Sequence, residues 1–302
     1  MGSTRGFAWL WLAIFSVCLA VPLAGCHGAS GGAAKREQKT YHLRGKIIST
    51  DASTGHVTVN AGAIPGLMEA MTMSYRLADP TVLSELHAGD RITATLNADE
   101  DAAGSVNMRL SDIVVVAQAR PDYKPAVQYH VPQVGDVMPD FALLNQDGKK
   151  IRLKDFRGKV LLMTFVYTRC PLADFCPRMS RNFAEIDKQL AQDKAMYAAT
   201  HLLSVSFDPS YDTPAVLKSY GEAYTGRYTQ ETFAHWDFAA PEAAEMGAME
   251  QWFDLGVTPG ANGTLKHSLS TLVIGKDGKV AGFWPTNDWA VGDVLAVVKR
   301  VS

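Results

Sequence analysis

Apolar residues follow two different rhythms along the chain, and the change falls near residue 134. Before it, short runs are broken by turn residues. Leu43 to Ser49 and His56 to Val59 flank Asp51-Ala52-Ser53-Thr54-Gly55, which reads as a hairpin. Met71 to Leu77, Arg91 to Leu96 and Met108 to Ala117 supply further strands, and Pro80 to Leu86 one helical turn. Five strands within residues 40–118 predict a small all-β barrel of the OB type. Residues 119–133 (ARPDYKPAVQYHVPQ) carry three prolines and little pattern, so they read as a linker.

Residues 134–302 alternate strands with helices. Phe141 to Leu144 and Lys150 to Leu153 form a hairpin around Gln146-Asp147-Gly148. Val160 to Thr168 is a continuous apolar and β-branched run, the signature of a strand buried on both faces. Met179, Phe183, Ile186 and Leu190 recur at helical spacing, with Pro177 suited to the first turn. His201 to Phe207 reads as a second buried strand. Helices are expected from Thr213-Pro214 through Tyr224, from Pro241 through Phe253, and from about Ala290 onward. Thr271 to Ile274 and Val280 to Trp284 pair around Lys276-Asp277-Gly278-Lys279. The alternation predicts an α/β domain, and its last hairpin a mixed sheet.

Composition changes the picture mainly at the amino terminus. Arg5 precedes an uncharged apolar run, Phe7 to Ala24, the pattern of an export signal. The run ends in Leu23-Ala24-Gly25-Cys26, which resembles the bacterial lipobox. That resemblance implies removal of residues 1–25 and lipidation of Cys26, with residues 26–39 as a flexible tether; an ordinary signal peptide or short anchor is the alternative. The expected location is exported, lipid-anchored at a membrane, facing the periplasm or cell exterior. No other stretch approaches the ~20 apolar residues of a membrane span. With 29 basic against 31 acidic residues, no net field favours nucleic acid as a partner.

Of four cysteines, Cys18 lies in the signal and Cys26 at its end, leaving Cys170 and Cys176. Five intervening residues close too short a loop for a useful structural staple, so the pair reads as a redox or metal site. Cys170 follows the strongest strand and Cys176 precedes a helix, a place where open α/β sheets bind ligands. In regular helix the two sulfurs would lie ~9 Å apart along the axis and ~240° apart around it. The segment Pro171-Leu172-Ala173-Asp174-Phe175 must therefore loop back, and the helix N-terminus is expected to favour the thiolate of Cys176. Two soft sulfurs suit copper(I), zinc or disulfide exchange, and a histidine would complete a copper site. His267, in a loop before the Thr271 strand, is the best placed, although a lone histidine is more often structural.

Phe165-Val166-Tyr167-Thr168-Arg169-Cys170-Pro171 with Cys176-Pro177 resembles the Sco/SenC (synthesis of cytochrome c oxidase) copper-chaperone family. So do Ser206-Phe207-Asp208-Pro209 with Asp212-Thr213-Pro214, and Lys266-His267-Ser268 followed by a strand and Asp277-Gly278-Lys279. The resemblance implies a thioredoxin-like domain in which Cys170, Cys176 and His267 bind copper. It suggests that Asp208 supports the site; a turn or cap role fits Asp208 equally. The family's usual cysteine spacing is three residues where this chain has five, which bears on affinity, potential and partner choice.

In the first domain, Ile64-Pro65-Gly66-Leu67-Met68-Glu69-Ala70-Met71-Thr72-Met73 resembles the metal loop of the CusF-like copper-carrier barrels. Met71 and Met73 share one face of a strand, and thioethers suit copper(I). Two features of that family are missing: Ala61 stands where it places a histidine, and no Trp occurs between Trp11 and Trp236. The expectation is a weak second site of Met68, Met71 and Met73, or methionines that only fill a core.

The function expected is copper binding and delivery, for cytochrome c oxidase maturation or copper homeostasis. The partners expected are the oxidase copper-site subunit or another copper or thiol protein. The alternative is a thiol–disulfide oxidoreductase cycling Cys170 and Cys176. A peroxidase is disfavoured, because peroxiredoxins place Thr three residues before the reactive Cys and this chain has Tyr167.

Overall fold

The structure, a computed structural model, describes residues 37–101, 104–120, 122–124, 129–259 and 264–302. The export signal, Cys26 and most of the tether lie outside these residues. Among the described residues no helix is long and apolar enough to cross a membrane.

Strands β1 (Glu37–Asp51), β2 (His56–Ala61), β3 (Met71–Leu77), β4 (Arg91–Asp101) and β5 (Gly104–Ala117) close on themselves in the order β1-β2-β3-β5-β4. Long β1 pairs with β2 through one half and with β4 through the other; a short parallel contact of β3 with β5 completes the ring. The β1–β2 turn forms because the Asp51 carboxylate accepts from the Ser53 amide and hydroxyl, while Gly55 takes φ 73°. Leu43, Val57, Val59, Met71, Met73, Tyr75 and Leu96 fill the interior and are almost wholly shielded from water.

The segment read as a linker is stitched down at several points. The Ala119 amide donates to Asp90, the Lys46 ammonium lies 4.4 Å from the Tyr123 ring centre, and Gln133 reaches Asp51. Barrel and α/β domain together form one compact unit, Arg36–Ser302.

The second part contains β6 (Ala142–Asn145), β7 (Lys150–Arg152), β8 (Val160–Val166), α1 (Cys176–Leu190), α2 (Lys194–Ala199), β9 (Thr200–Ser206), α3 (Pro214–Thr225), β10 (Trp236–Pro241) and α4 (Ala243–Trp252). A two-stranded ribbon follows, β11 (Val257–Pro259) with β12 (Leu265–His267), then β13 (Thr271–Ile274), β14 (Val280–Trp284) and α5 (Val291–Val301). The main sheet has the order β14-β13-β8-β9-β10-β6-β7, parallel at β8–β9–β10 and antiparallel elsewhere. It is mixed, as the last hairpin predicts, and thioredoxin-like, as the family resemblance implies.

β8 is buried along its whole length because both faces are covered. Val160 and Leu162 join the apolar layer of Phe183, Ile186, Leu217 and Val298 from α1, α3 and α5. Leu161, Met163 and Phe165 join the opposite layer with Met249 and Phe253. The sequence reads Pro241 as opening a helix; it closes β10 instead, and α4 begins at Ala243. Asp237 obscures that strand by interrupting its apolar run, yet it is buried, held by His201 at 2.9 Å and by Asn145 and Gln146.

Candidate metal centre

At the carboxyl end of β8 the chain leaves the sheet and is immediately tied down. The Thr168 amide and hydroxyl donate to Asp212 at 3.1 and 2.5 Å, and the Ser206 hydroxyl donates to the same carboxylate at 2.5 Å. One buried carboxylate thus holds the loops after β8 and β9 together. Arg169 Nη2 donates to Asp208 at 2.6 Å and its guanidinium lies 4.0 Å from the Tyr211 ring centre. Asp208 therefore contacts the residue preceding Cys170, while its own carbonyl also accepts in a turn from Tyr211 and Asp212.

The segment 171–175 does loop back. The Phe175 amide donates to Leu172 O at 3.1 Å, and Phe175 is buried beneath the loop. Arg181 Nη2 donates to Ala173 O at 2.9 Å and Asn287 Nδ2 to Asp174 O at 3.0 Å, so the longer spacing is anchored from two sides. Cys176 is the first residue of α1 and is fully buried, whereas Cys170 is partly exposed.

His267 is predicted in a loop; it ends β12 instead, paired with Val257 across the ribbon. Its ring is 1% exposed, boxed by Phe207, Tyr167 and Phe175 at centroid distances of 4.5, 5.4 and 6.0 Å. Nδ1 lies 2.8 Å from Ser268 O, a group that only accepts, so Nδ1 donates there and Nε2 is left facing the sulfurs. Nε2 stands 3.5 Å from Cys176 Sγ. The sulfurs of Cys170 and Cys176 and a ring nitrogen of His267 all lie within 4.8 Å of one another.

Proton placement reverses the expectation for the cysteines. Cys170 is pushed down to about 4, chiefly because Cys176 donates a hydrogen bond to its sulfur, with His267 adding to the effect against the opposing pull of burial. Cys176 is pushed well up, first by burial and then by the neighbouring Cys170 sulfur. The helix terminus does not overcome that desolvation; Cys170 is the thiolate and Cys176 the thiol.

The methionines stand apart from this cluster in the barrel. Met71 and Met73 face its interior, opposite Ala61 and Val59, and Met68 closes a bridge with Ile64. Ala61, where the CusF-like loops place a histidine, is thus the direct cross-strand neighbour of Met71. Asn287, Arg181 and Asp254 hold the two loops with no spacing in the sequence to mark them, and Ser268 joins them from within Lys266-His267-Ser268.

A thioredoxin-like domain with a thiolate, a thiol and an imidazole converging at the end of its central strand defines a soft metal or thiol-exchange site. Residues 130–302 match the family model SCO1/SenC, and residues 40–109 that of the copper binding periplasmic protein CusF. The chain is 30% identical over 166 residues to the SCO1 protein homolog of Bacillus subtilis, covering 54% of this chain and 81% of that protein. It is 31% identical over 88 residues to the mitochondrial SCO2 homolog of Bos taurus, covering 29% and 32% respectively. Among solved structures, a SCO1/SenC family lipoprotein from Bacillus anthracis is 28% identical with TM-score 0.47, covering 57% of this chain and 98% of that one. Bradyrhizobium japonicum ScoI with copper bound is 23% identical with TM-score 0.44, covering 55% and 100%. The chain belongs to the SCO1/SenC family.

Proposed function

We propose that this chain binds copper as cargo through Cys170 Sγ, Cys176 Sγ and His267 Nε2. It acts outside the cytoplasmic membrane, held there by a lipid on Cys26, and delivers the ion to a copper-site subunit of cytochrome c oxidase or another copper or thiol protein. The observation that carries this reading is the convergence of the three donor atoms within 4.8 Å, with Nδ1 held by Ser268 O so that Nε2 faces the sulfurs. Two sulfurs and an imidazole suit copper, a soft thiophilic ion in its reduced state. Cys170 supplies the accessible, already ionised entry ligand. Binding releases the proton that Cys176 retains in the free protein, since only the thiolate ligates. The buried imidazole and its aromatic box keep water from the inner side.

Titration with copper(II) tests this. Two thiolates and one imidazole give a strong visible sulfur-to-copper band; Cys170→Ser or Cys176→Ser abolishes it and His267→Ala weakens or shifts it. An unchanged spectrum in His267→Ala removes that residue from the site.

The low pKa of Cys170 favours a second reading, disulfide reduction. The Cys170 thiolate attacks one sulfur of a substrate disulfide, and the other sulfur leaves as thiolate. Cys176 then loses its proton, attacks Cys170 Sγ and releases the second substrate thiolate, so the pair gives up two electrons and becomes a disulfide. That cycle does not require a distal histidine, which is why copper is preferred.

The amino-terminal ring is read as an OB-type barrel. With alanine at position 61, its Met68, Met71 and Met73 form a weak copper(I) site at most.

A further inference from the structure

The outward face of β2 and β3 is polar, as on any small barrel in water: His56, Thr58 and Asn60 alternate opposite Arg76, Ser74 and Thr72. Here Thr58, Thr72 and Ser74 are buried, although none of them points into the barrel core. Thr58 Oγ1 and Ser74 Oγ are 2.7 Å apart, and each lies 3.1 Å from Asp254 Oδ2 of the α/β domain. Thr72 sits so close to Gly256 that a Cβ there would fall 2.6 Å from Thr72 Cβ; glycine is required for backbone approach. Residues 254–256 are therefore seated directly on the barrel.

The same three residues hold the histidine. Ser268 Oγ donates to Asp254 O at 2.8 Å and accepts from the Gly256 amide at 2.9 Å, and the Ser268 amide donates to Gly256 O at 3.1 Å. The Ser268 carbonyl is the acceptor that fixes His267 Nδ1. A continuous hydrogen-bonded path thus runs from the barrel hydroxyls through Asp254 and Ser268 to the imidazole, whose Nε2 faces the sulfurs. Asp254 itself has φ 53°, a conformation held for this purpose at some backbone cost.

We propose that the barrel braces the copper-binding imidazole: Thr58 and Ser74 fix Asp254, and Asp254 is a positioning residue that sets the orientation and tautomer of His267 through Ser268. This rests on the copper reading above. It gives the barrel a task that needs no metal of its own, and it explains why the outward face of β2–β3 is covered. Removing the group that orients a metal-binding histidine typically alters affinity about 10–100-fold. Ser268 O is that group here, and Asp254 acts on it from one step further out.

The test uses the full chain with three variants. Asp254→Gly removes the carboxylate while suiting the left-handed backbone, Asp254→Asn keeps an acceptor for both hydroxyls, and Thr58→Val/Ser74→Ala cuts the path from the barrel side. Copper(I) affinity is read by competition with a chromophoric chelator, the copper(II) band by absorbance, and the ribbon by amide exchange of residues 255–258 and 264–269 in the metal-free protein. Asp254→Gly and Thr58→Val/Ser74→Ala should each weaken copper(I) by about tenfold, the lower end of the range for a direct partner, shift the band and speed ribbon exchange. Asp254→Asn should stay within about threefold. Wild-type affinity, band and exchange in Thr58→Val/Ser74→Ala would overturn the brace, and so would an Asp254→Asn as impaired as Asp254→Gly. If the wild-type chain binds no copper, the copper reading fails, while ribbon exchange in the metal-free variants still decides whether the barrel braces the histidine. Should Asp254→Gly not fold, the barrel-side pair decides the matter alone.

Discussion

The proton arrangement at the cysteines predicts an unusual pH profile for thiol reactivity. Cys170 sits at about 4 because Cys176 donates to it, and it is the partly exposed member of the pair. An ordinary thiol near 8.5 is about 0.3% ionised at pH 6, whereas Cys170 is about 99% ionised, a gain of roughly 300-fold. Lower basicity reduces intrinsic nucleophilicity: a Brønsted slope of about 0.45 over this difference costs roughly 100-fold. Cys170 should therefore react about threefold faster than an ordinary thiol at pH 6, about 30-fold faster at pH 5, and more slowly than one at pH 8. The robust signature is flatness. The second-order rate with an aromatic disulfide, followed by the released coloured thiolate, should change less than about twofold from pH 5 to 8. Cys176→Ala removes the donor and should restore the climb of about tenfold per pH unit toward an ordinary midpoint. A wild-type rate that climbs tenfold per pH unit across this range refutes the shared-proton arrangement.

Three further outcomes follow from named contacts. Burial pushes Asp254 up to about 7, against Thr58 and Ser74, which pull it down, and with Asp51 adding to the rise. The folded state thus holds a proton that the unfolded chain releases near 3.9, so this contribution is complete below about pH 4 and is lost as pH rises through 7, with a ceiling of roughly 4 kcal/mol. The urea stability difference between wild type and Asp254→Asn, measured from pH 4 to 8, should swing in favour of the variant as pH rises; a pH-independent difference contradicts the raised pKa. Phe183, fully buried on the inner face of α1 near Trp236 and Trp289, should cost about 3–5 kcal/mol as Phe183→Ala, lowering the thermal midpoint by roughly 10 °C. Ala61→His places an imidazole across the strand pair from Met71 and should strengthen copper(I) binding by the barrel, read in a chain already carrying Cys170→Ser and Cys176→Ser; no gain, with Met71→Leu also silent, makes the methionines core filler.

Much of this arrangement is legible in the sequence because period and chemistry agree. β8 is a strand with both faces buried, and its seven apolar or β-branched residues say so. Met179, Phe183, Ile186 and Leu190 mark the inner face of α1, and each is buried. The impossibility of joining residues 170 and 176 within a helix predicts the return loop that Arg181 and Asn287 anchor. What stays hidden depends on tertiary environment. β10 is masked by Asp237, whose burial is tolerated only because His201 and Asn145 meet it from distant segments. The ionised cysteine is misassigned because a helix terminus is visible in sequence, while complete burial of Cys176 is not. Asp254 carries no motif at all.

The ambiguity over the methionines has the same origin, and β3 shows which way they face. Met-Thr-Met-Ser-Tyr alternates large apolar and small polar residues, and a strand sends them to opposite sides. Sequence alone reads the large set as either ligands or filler. Once the strand is paired, Met71, Met73 and Tyr75 occupy the barrel, while Thr72 and Ser74 lie on Gly256 and Asp254. A slip of one residue would turn the thioethers toward Asp254 and bury two hydroxyls in an apolar core, so both faces specify one register. The interior face can then carry alanine at position 61 without freeing the strand to drift, because the exterior face is engaged with residues 254–256. The register of the barrel strand is in this way fixed by its contact with the α/β domain, whether or not its methionines hold a metal.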